Sequence, residues 1–178
     1  MISIEFFRTY FSESDRGCVL ILAEELDTML KELHLAHIEA ASSANSDLKR
    51  RLFSYYGPIG NFAARIQLAY AYGLISKQTY EDLERLREIR NDAAHTSQNF
   101  SFYDIIEKVV AIKAVERNIN HLQLTTDEQA AVNRPDLDEK TMKLAFASSA
   151  MAIGTEIQAA HAKILQKRLY SFKSAQHQ

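Results

Sequence analysis

The stretch Leu86–His95, which reads LREIRNDAAH, is the densest cluster of ionisable and amide side chains in the sequence. Arg87, Arg90, Asn91 and His95 lie within three turns of a predicted helix. An imidazole can transfer protons near neutral pH, and guanidinium and amide groups can bind anions. The cluster therefore offers either chemistry on a bound ligand or, as a structural alternative, basic groups that stabilise the negative end of a helix.

Helical spacing divides this cluster between two faces. On an ideal α-helix, Arg90 and His95 are separated by about 140° around the axis. Arg87, Asn91 and His95 are instead four residues apart and share a face. Arg90 and His95 can therefore converge only if the helix ends before His95 or if the arginine side chain reaches round the helix.

The composition indicates a soluble, helical protein of one domain. Its 178 residues are enough to bury a core, and a hydrophobic content of 47% with 25% charged residues is ordinary for a globular protein. Only five glycines and two prolines are present, which favours long helices over sheets with many turns. Since neither a signal peptide nor an apolar run of about 18 residues is evident, we expect a cytoplasmic protein that does not enter membranes.

Charge and spacing argue against several classes of ligand. The 21 basic residues are offset by 23 acidic ones, which argues against direct, unaided binding to nucleic acid. A basic triplet at 49–51 is either a solvated face or a phosphate contact. Cys18 is predicted to be a buried thiol. Because His34 and His37 lack a third ligand at suitable spacing, we predict a surface or helix-end role for them, with no metal site and no cofactor.

Apolar periodicity predicts an all-α fold, a single-domain bundle of about six helices that spans residues 1–178. The predicted helices are a short N-terminal element within 1–14, core helices at 15–41, 58–72, 76–95 and 101–122, and a long C-terminal helix at 137–170. Polar connections are predicted at 42–47 and 125–138, and residues 171–178 are expected to fray.

Capping residues refine these boundaries. Pro58, in a GPIG turn, is predicted at the first position of its helix, and Gly73 just beyond the end of that helix. Ser76 or Thr79 is predicted to cap the next helix, and Thr79 with Asp82 to form a capping box. The helix NFAARIQLAYAY is apolar on nearly every side, which predicts a central position.

The helix pair joined near Gly73 has the outline of a helix-turn-helix, but its second helix carries acidic residues where DNA would lie. Glu81, Glu84 and Glu88 would repel phosphates. The position that should pack inward is also polar, namely Thr79. We therefore predict an αα-hairpin within the bundle rather than a DNA-reading motif.

The segment Gly57–His95, GPIGNFAARIQLAYAYGLISKQTYEDLERLREIRNDAAH, resembles the mannitol operon repressor family. Its GP-x-G turn, apolar helix, short G-x-I turn, Tyr-Glu-Asp helix start and closing LR…AH match together. The similarity extends more weakly to the helices on either side. The resemblance implies an all-α domain that acts in transcriptional regulation without a recognisable DNA-binding element, through self-association or a protein partner.

The same segment resembles the HEPN domains, helical bundles with an R-x(4–6)-H motif, through Arg90, Asn91 and His95. In active members of that group, the motifs of two protomers meet in a cleft and cut RNA without a metal. Carried over, His95 would handle the 2′-OH proton or the leaving group, and Arg90 would stabilise charge on the phosphate. Asn91 would orient either group.

The sequence therefore predicts a repressor-type transcriptional regulator, a homodimer that acts through self-association or a protein partner rather than a helix-turn-helix. The alternative is a HEPN-type, metal-independent ribonuclease with Arg90 and His95 as catalytic residues and RNA as substrate. Arg87 and Asn91 are the candidate binding residues. A third hypothesis is a helical bundle that only binds a protein partner.

Overall fold

The computed structural model describes residues 4–41, 45–96, 99–114 and 139–175. Within these ranges the fold is all-α, as predicted, with one 3-10 turn at Phe102–Ile105 and no strand. The helices of the described ranges are α1 (Ile4–Ser12), α2 (Asp15–Ala41), α3 (Ser46–Leu52), α4 (Phe62–Ala71), α5 (Lys77–His95), α6 (Ile106–Val110) and α7 (Glu139–Ala175).

Contacts between backbone positions divide the chain into two compact units. The first unit comprises Met1–Leu26 and Glu81–Ile153, and the second comprises Asp27–Tyr80 and Gly154–Gln178. Helices α2, α5 and α7 each contribute residues to both units. The single-domain organisation stays a prediction.

Long-range polar contacts fix the core of the first unit. The Tyr10 hydroxyl donates to the Lys143 carbonyl at 2.8 Å, so α1 is attached to α7. The rings of Phe102 and Phe146, both fully buried, have centroids 5.3 Å apart. Asp15 accepts the backbone N–H of Phe102 at 2.8 Å. This carboxylate positions the 3-10 turn against the start of α2.

Asp82 has a different role from the one its spacing suggested. Its carboxylate is fully buried and accepts the backbone N–H groups of Lys113 and Ala114 at 2.9 and 3.0 Å. The predicted capping box with Thr79 is therefore wrong, because Asp82 binds a segment that follows α6 rather than the start of its own helix.

The predicted helix at 101–122 is interrupted. Ser101 does cap it, since its hydroxyl accepts the N–H of Tyr103 at 3.2 Å. A 3-10 turn precedes α6, however, and α6 ends at Val110. Residues 115–122 and the predicted loop at 125–138 lie outside the described residues.

The second unit is built around Arg65 of α4, which is buried. Its guanidinium makes two parallel bonds of 2.6 Å to the Asp27 carboxylate of α2. It also donates to the Ile59 carbonyl at 2.7 Å. The Arg65 carbonyl is bonded in turn to Nε2 of His34 at 2.8 Å. Arg65, the one charged residue of α4, thus connects this helix to α2 and to the turn before it.

The prediction that Pro58 begins α4 is wrong. The helix begins at Phe62, and the side chain of Asn61 caps it by accepting the N–H of Ala64 at 2.9 Å. The GPIG segment folds back on its own chain instead. A Cβ atom on Gly57 would lie 2.3 Å from the carbonyl oxygens of residues 51 and 52, and one on Gly60 would lie 2.2 Å from that of residue 54. These close approaches keep the segment out of the helix.

The junction between α4 and α5 follows the capping prediction in part. Gly73 has a φ of 65° and donates to Tyr70, while Leu74 donates to Ala69, both at 2.9 Å. This is a Schellman motif. Ser76 caps α5 by accepting the N–H of Thr79 at 3.1 Å. Thr79 is fully buried, and its hydroxyl is bonded to Glu156 of α7. Contrary to the prediction, the polarity of Thr79 therefore does not prevent it from packing inward.

Two segments predicted to be irregular are helical. Residues 46 and 47 belong to α3 rather than to a polar loop, because Asn45 caps this helix by accepting the N–H of Leu48 at 2.9 Å. Helix α7 continues to Ala175, so residues 171–175 do not fray as predicted. Both segments are rich in polar residues, and for that reason they were predicted to be irregular although their backbone is helical.

His34 is buried, with 1% of its surface exposed, which corrects the predicted surface role. Burial lowers the pKa of its imidazole below the usual value. His37, one turn later, stacks on Tyr72 with ring centroids 5.5 Å apart. Both histidines are therefore packing residues at the junction of α2 with the end of α4.

The Arg65–Asp27 pair generates a stability prediction. Replacing Asp27→Ala leaves a buried guanidinium without its counter-charge, so we expect the free energy of unfolding in urea to fall by about 3 kcal/mol. Asp47→Ala is the control, because the Arg50–Asp47 pair has the same 2.6 Å separation but side chains 78% and 52% exposed, against 9% and 17% for Arg65 and Asp27. The control should lose less than about 1 kcal/mol. Equal losses for the two variants would contradict the proposed effect of burial.

His34 generates a prediction of pH dependence. Because the folded-state pKa of His34 is lowered, its imidazole is protonated in the unfolded chain at a higher pH than in the folded one. The contribution of His34 to the free energy of unfolding is therefore fully present above a pH of about 6.5 and is lost as the pH falls through the folded-state pKa. This group should contribute a slope of up to about 1.4 kcal/mol per pH unit. We expect His34→Gln, whose amide can still donate to the Arg65 carbonyl, to flatten the dependence of urea unfolding on pH between about 7 and 5. An unchanged slope in His34→Gln, or an equal flattening in the control His37→Gln, would refute this assignment.

Candidate functional site

The candidate residues lie on a helix that is unbroken from Lys77 to His95. Since α5 includes His95, an earlier helix end does not bring it towards Arg90. Both side chains are exposed, and five residues of regular helix turn them about 140° apart. No contact joins Arg90 to His95 among the described residues, so the structure does not bring together the two predicted catalytic groups.

The two predicted binding residues are already hydrogen-bonded to neighbouring side chains on the same helix. The guanidinium of Arg87 bonds to the Glu84 carboxylate through Nη2 at 2.7 Å and through Nε at 3.1 Å. Arg90 donates to the Asn91 side-chain oxygen at 3.4 Å. Glu84 therefore competes with any anionic ligand for Arg87, which weakens the case for Arg87 as a binding residue.

Two basic side chains that the sequence analysis missed fix the end of α5. Arg16 of α2 donates to the Thr96 carbonyl at 2.7 Å, at the negative end of the helix. Lys108 of α6 forms a hydrogen-bonded ion pair with Asp92. The hydrogen bond to this carboxylate raises the pKa of Lys108 above its usual value. Periodicity could not have identified either contact, because each joins separate helices.

Thr96 closes the last turn of the helix. Its N–H and its hydroxyl both donate to the Asp92 carbonyl, at 2.9 and 2.7 Å. His95 is left exposed beside this turn. The arrangement thus presents an imidazole at the surface, but none of the described side chains of this chain is placed to exchange a proton with it.

The other groups considered in the sequence do not form a reactive centre in the described ranges. Cys18 is buried as predicted, and burial raises the pKa of its thiol to about 11, so it is a poor nucleophile at neutral pH. No cluster of three or more His, Cys, Asp or Glu side chains suited to a metal ion occurs there. None of the described helices is long and apolar enough to cross a membrane.

A known protein family matches most of the chain, and individual proteins match a shorter part of it. Residues 16–167 match the sequence model of a family described as the mannitol repressor. The mannitol operon repressor of Escherichia coli strain K12 is 38% identical over 48 residues, which cover 27% of this chain and 25% of that protein. The mannitol operon repressor of Escherichia coli O6:H1 strain CFT073 gives the same figures. The aligned stretch therefore spans a quarter of the length of these curated relatives.

Proposed function

Because the chain belongs to the mannitol repressor family, whose sequence model matches residues 16–167, we propose that it is a repressor-type regulator of transcription. The extent of the match is the observation that carries the proposal. It runs from the first turn of α2 almost to the end of α7 and includes parts of both units. Two relatives that share part of this sequence are named as repressors of an operon.

The chain acts through self-association, as a cytoplasmic homodimer, or through a protein partner, rather than through a helix-turn-helix. The acidic character of α5 supports this mechanism. Glu81, Glu84 and Glu88 all lie on the helix that would enter the major groove, and Glu88 is exposed. Carboxylates at such positions repel DNA phosphates. The inward packing of Thr79 removes one objection to a helix-turn-helix but leaves this one in place.

A ribonuclease of HEPN type is the second candidate, because Arg90 and His95 are both exposed near the end of one helix. In this mechanism the imidazole of one protomer and the guanidinium of its partner meet across a dimer interface. The angle of about 140° between them on a single helix then causes no difficulty. This candidate ranks lower because neither side chain is held by a described neighbour in a geometry suited to proton transfer.

The repressor function predicts a transcriptional effect that does not need the candidate catalytic pair. Deleting the gene in its own organism should raise the transcript level of at least one operon, and restoring the wild-type gene should reverse the rise. The variant Arg90→Ala/His95→Ala should restore repression equally well. Transcript counting in the three strains is the measurement. A transcriptome unchanged by the deletion would contradict the proposal, and repression lost only in the variant would favour the ribonuclease.

Purified protein gives a direct test of the second candidate. We expect RNA to remain intact in EDTA after long incubation, since no described side chain of the same chain is placed to exchange a proton with His95. Analytical ultracentrifugation of the same sample establishes whether the expected dimer is present. Metal-independent cleavage that is lost in His95→Ala, but kept in the control His161→Ala, would overturn this expectation. Circular dichroism establishes that both variants retain their helices.

A further inference from the structure

A groove in the second unit runs between α7 and the turn that joins α4 to α5. One wall is the Gly73–Ser76 turn, and the other is the face of α7 from Glu156 to Lys167. Both walls belong to the second unit. The groove, called the lysine groove, has a volume of about 390 Å³. This volume lies within the range of about 300–1,000 Å³ that is typical of small-molecule sites.

Two adjacent rows of residues, spaced four apart, form the α7 wall of the lysine groove. The rows are Glu156, Ala160 and Ile164 in the first, and Ala159, Lys163 and Lys167 in the second. At about 1.5 Å of rise per residue, Glu156 is about 10 Å along the helix axis from Lys163. A negative charge therefore lies at one end of the groove, a pair of positive charges lies at the other, and apolar residues lie between them.

The two lysines have charges that are available to a ligand. Lys163 and Lys167 are exposed, and neither has a salt-bridge partner among the described side chains. The sequence of α7 contains no acidic residue after Glu156. Arg168, the next residue, is by contrast paired with Glu39 at 3.1 Å. The two ammonium groups can therefore bind an anion without first losing an internal partner.

The carboxylate at the opposite end gives the lysine groove a direction. Oε2 of Glu156 accepts the hydroxyl of Thr79, which is fully buried, and lies 3.5 Å from the hydroxyl oxygen of Ser76. These contacts hold the carboxylate beside the turn. A negative charge held in this position repels a second anionic group. A ligand in the groove therefore directs its anionic group towards Lys163 and Lys167.

Aliphatic side chains line the middle of the groove. Ile75 is buried, and Leu74, Ala160 and Ile164 are half-buried. Ala159 and Ala160 have small side chains, which leave space that longer side chains would fill. An apolar group that removes these side chains from water gains hydrophobic stabilisation. The middle of the groove therefore favours a ligand with an apolar body.

We propose that the lysine groove binds a small organic phosphate, with the phosphate at Lys163 and Lys167 and an apolar body against Ala160. A phosphate monoester carries a charge of about −1.5 to −2 at pH 7. This charge matches two ammonium groups better than the single charge of a carboxylate does. Lysine is also a common phosphate ligand in proteins. The site goes beyond the repressor function proposed above and does not depend on it.

A segment of a second copy of the chain is the competing occupant of the groove. A stable interface between proteins buries about 1,200–2,000 Å² of surface. The lysine groove extends along only about three turns of one helix, from Glu156 to Lys167, beside one short turn. Its size therefore suits a small molecule better than a second protein.

An NMR titration of the full chain with phenyl phosphate tests the proposal, since this method measures weak binding. Lys163→Gln and Lys167→Gln should each raise the dissociation constant about tenfold, because each removes a charged hydrogen-bond donor to the phosphate. Arg168→Gln is the matched control, since it removes the adjacent charge of the same helix, which does not line the groove. The control should keep the wild-type dissociation constant at about 0.15 M salt, where charges are screened beyond about 8 Å.

Three further probes separate the parts of the ligand. Inorganic phosphate lacks the apolar body, benzoate has a single charge, and phenol has no anionic group at neutral pH. Each should bind the wild-type chain more weakly than phenyl phosphate does. Equal affinity for benzoate would overturn the assignment to a phosphate, and equal affinity for inorganic phosphate would overturn the role of the apolar residues.

Ala160→Leu tests the position of the ligand without changing a charge. Leucine is a good helix former, and its larger side chain should fill the middle of the groove. We expect this variant to lose phenyl phosphate and to keep the wild-type affinity for inorganic phosphate, while circular dichroism confirms its helices. Unchanged binding of phenyl phosphate in Ala160→Leu, equal weakening in Arg168→Gln and the lysine variants, or a wild-type chain that binds no phenyl phosphate would each overturn the proposal. Binding of phenyl phosphate that is lost only when the chain self-associates would instead assign the groove to a second copy.

Discussion

A guanidinium placed inside a mainly apolar helix constrains how the second unit packs. A buried charge is tolerated only when its counter-charge and its hydrogen-bond acceptors are all in position. Arg65 therefore requires Asp27 on α2 and the Ile59 carbonyl in the preceding turn to be correctly placed together. The register of α4 against α2, and with it the buried position of His34, follows from this requirement.

In the first unit, buried carboxylates rather than a guanidinium connect separate elements. Asp15 and Asp82 are buried, and together they accept three backbone N–H groups from residues 102–114. Short helical turns such as α6 have little intrinsic stability in isolation. Asp15 binds the N–H of Phe102 at the start of the 3-10 turn, and Asp82 binds the N–H groups of residues 113 and 114, which follow α6. The two carboxylates thus stabilise the two ends of this short helical stretch. The positions of residues 102, 113 and 114 therefore depend on carboxylates of α2 and α5.

Sequence patterns predicted the regular elements well and their connections poorly. Helix α2 begins and ends where the apolar spacing indicates, and Gly73 occupies the expected left-handed position. The predictions for Pro58 and Asp82 failed for a similar reason, because both used preferences of neighbouring residues in the sequence. Close backbone approaches in the GPIG turn keep Pro58 out of the helix, and Asp82 binds a partner that is distant in the sequence. At the candidate site, the sequence predicted the helix that carries Arg90 and His95. It could not predict the contacts of Arg16 and Lys108, because these contacts depend on tertiary structure.

Helix α7 has a consequence for how the protein is made. The first unit needs it for the bond from Tyr10 to the Lys143 carbonyl, and the second unit needs it for the contact between Thr79 and Glu156. Both contacts span far more of the chain than a helix or a turn, and such contacts form late. During synthesis each unit therefore lacks its contacts with α7 until that helix has left the ribosome. The apolar faces that pack on α7 therefore stay exposed on the nascent chain until α7 has been synthesised.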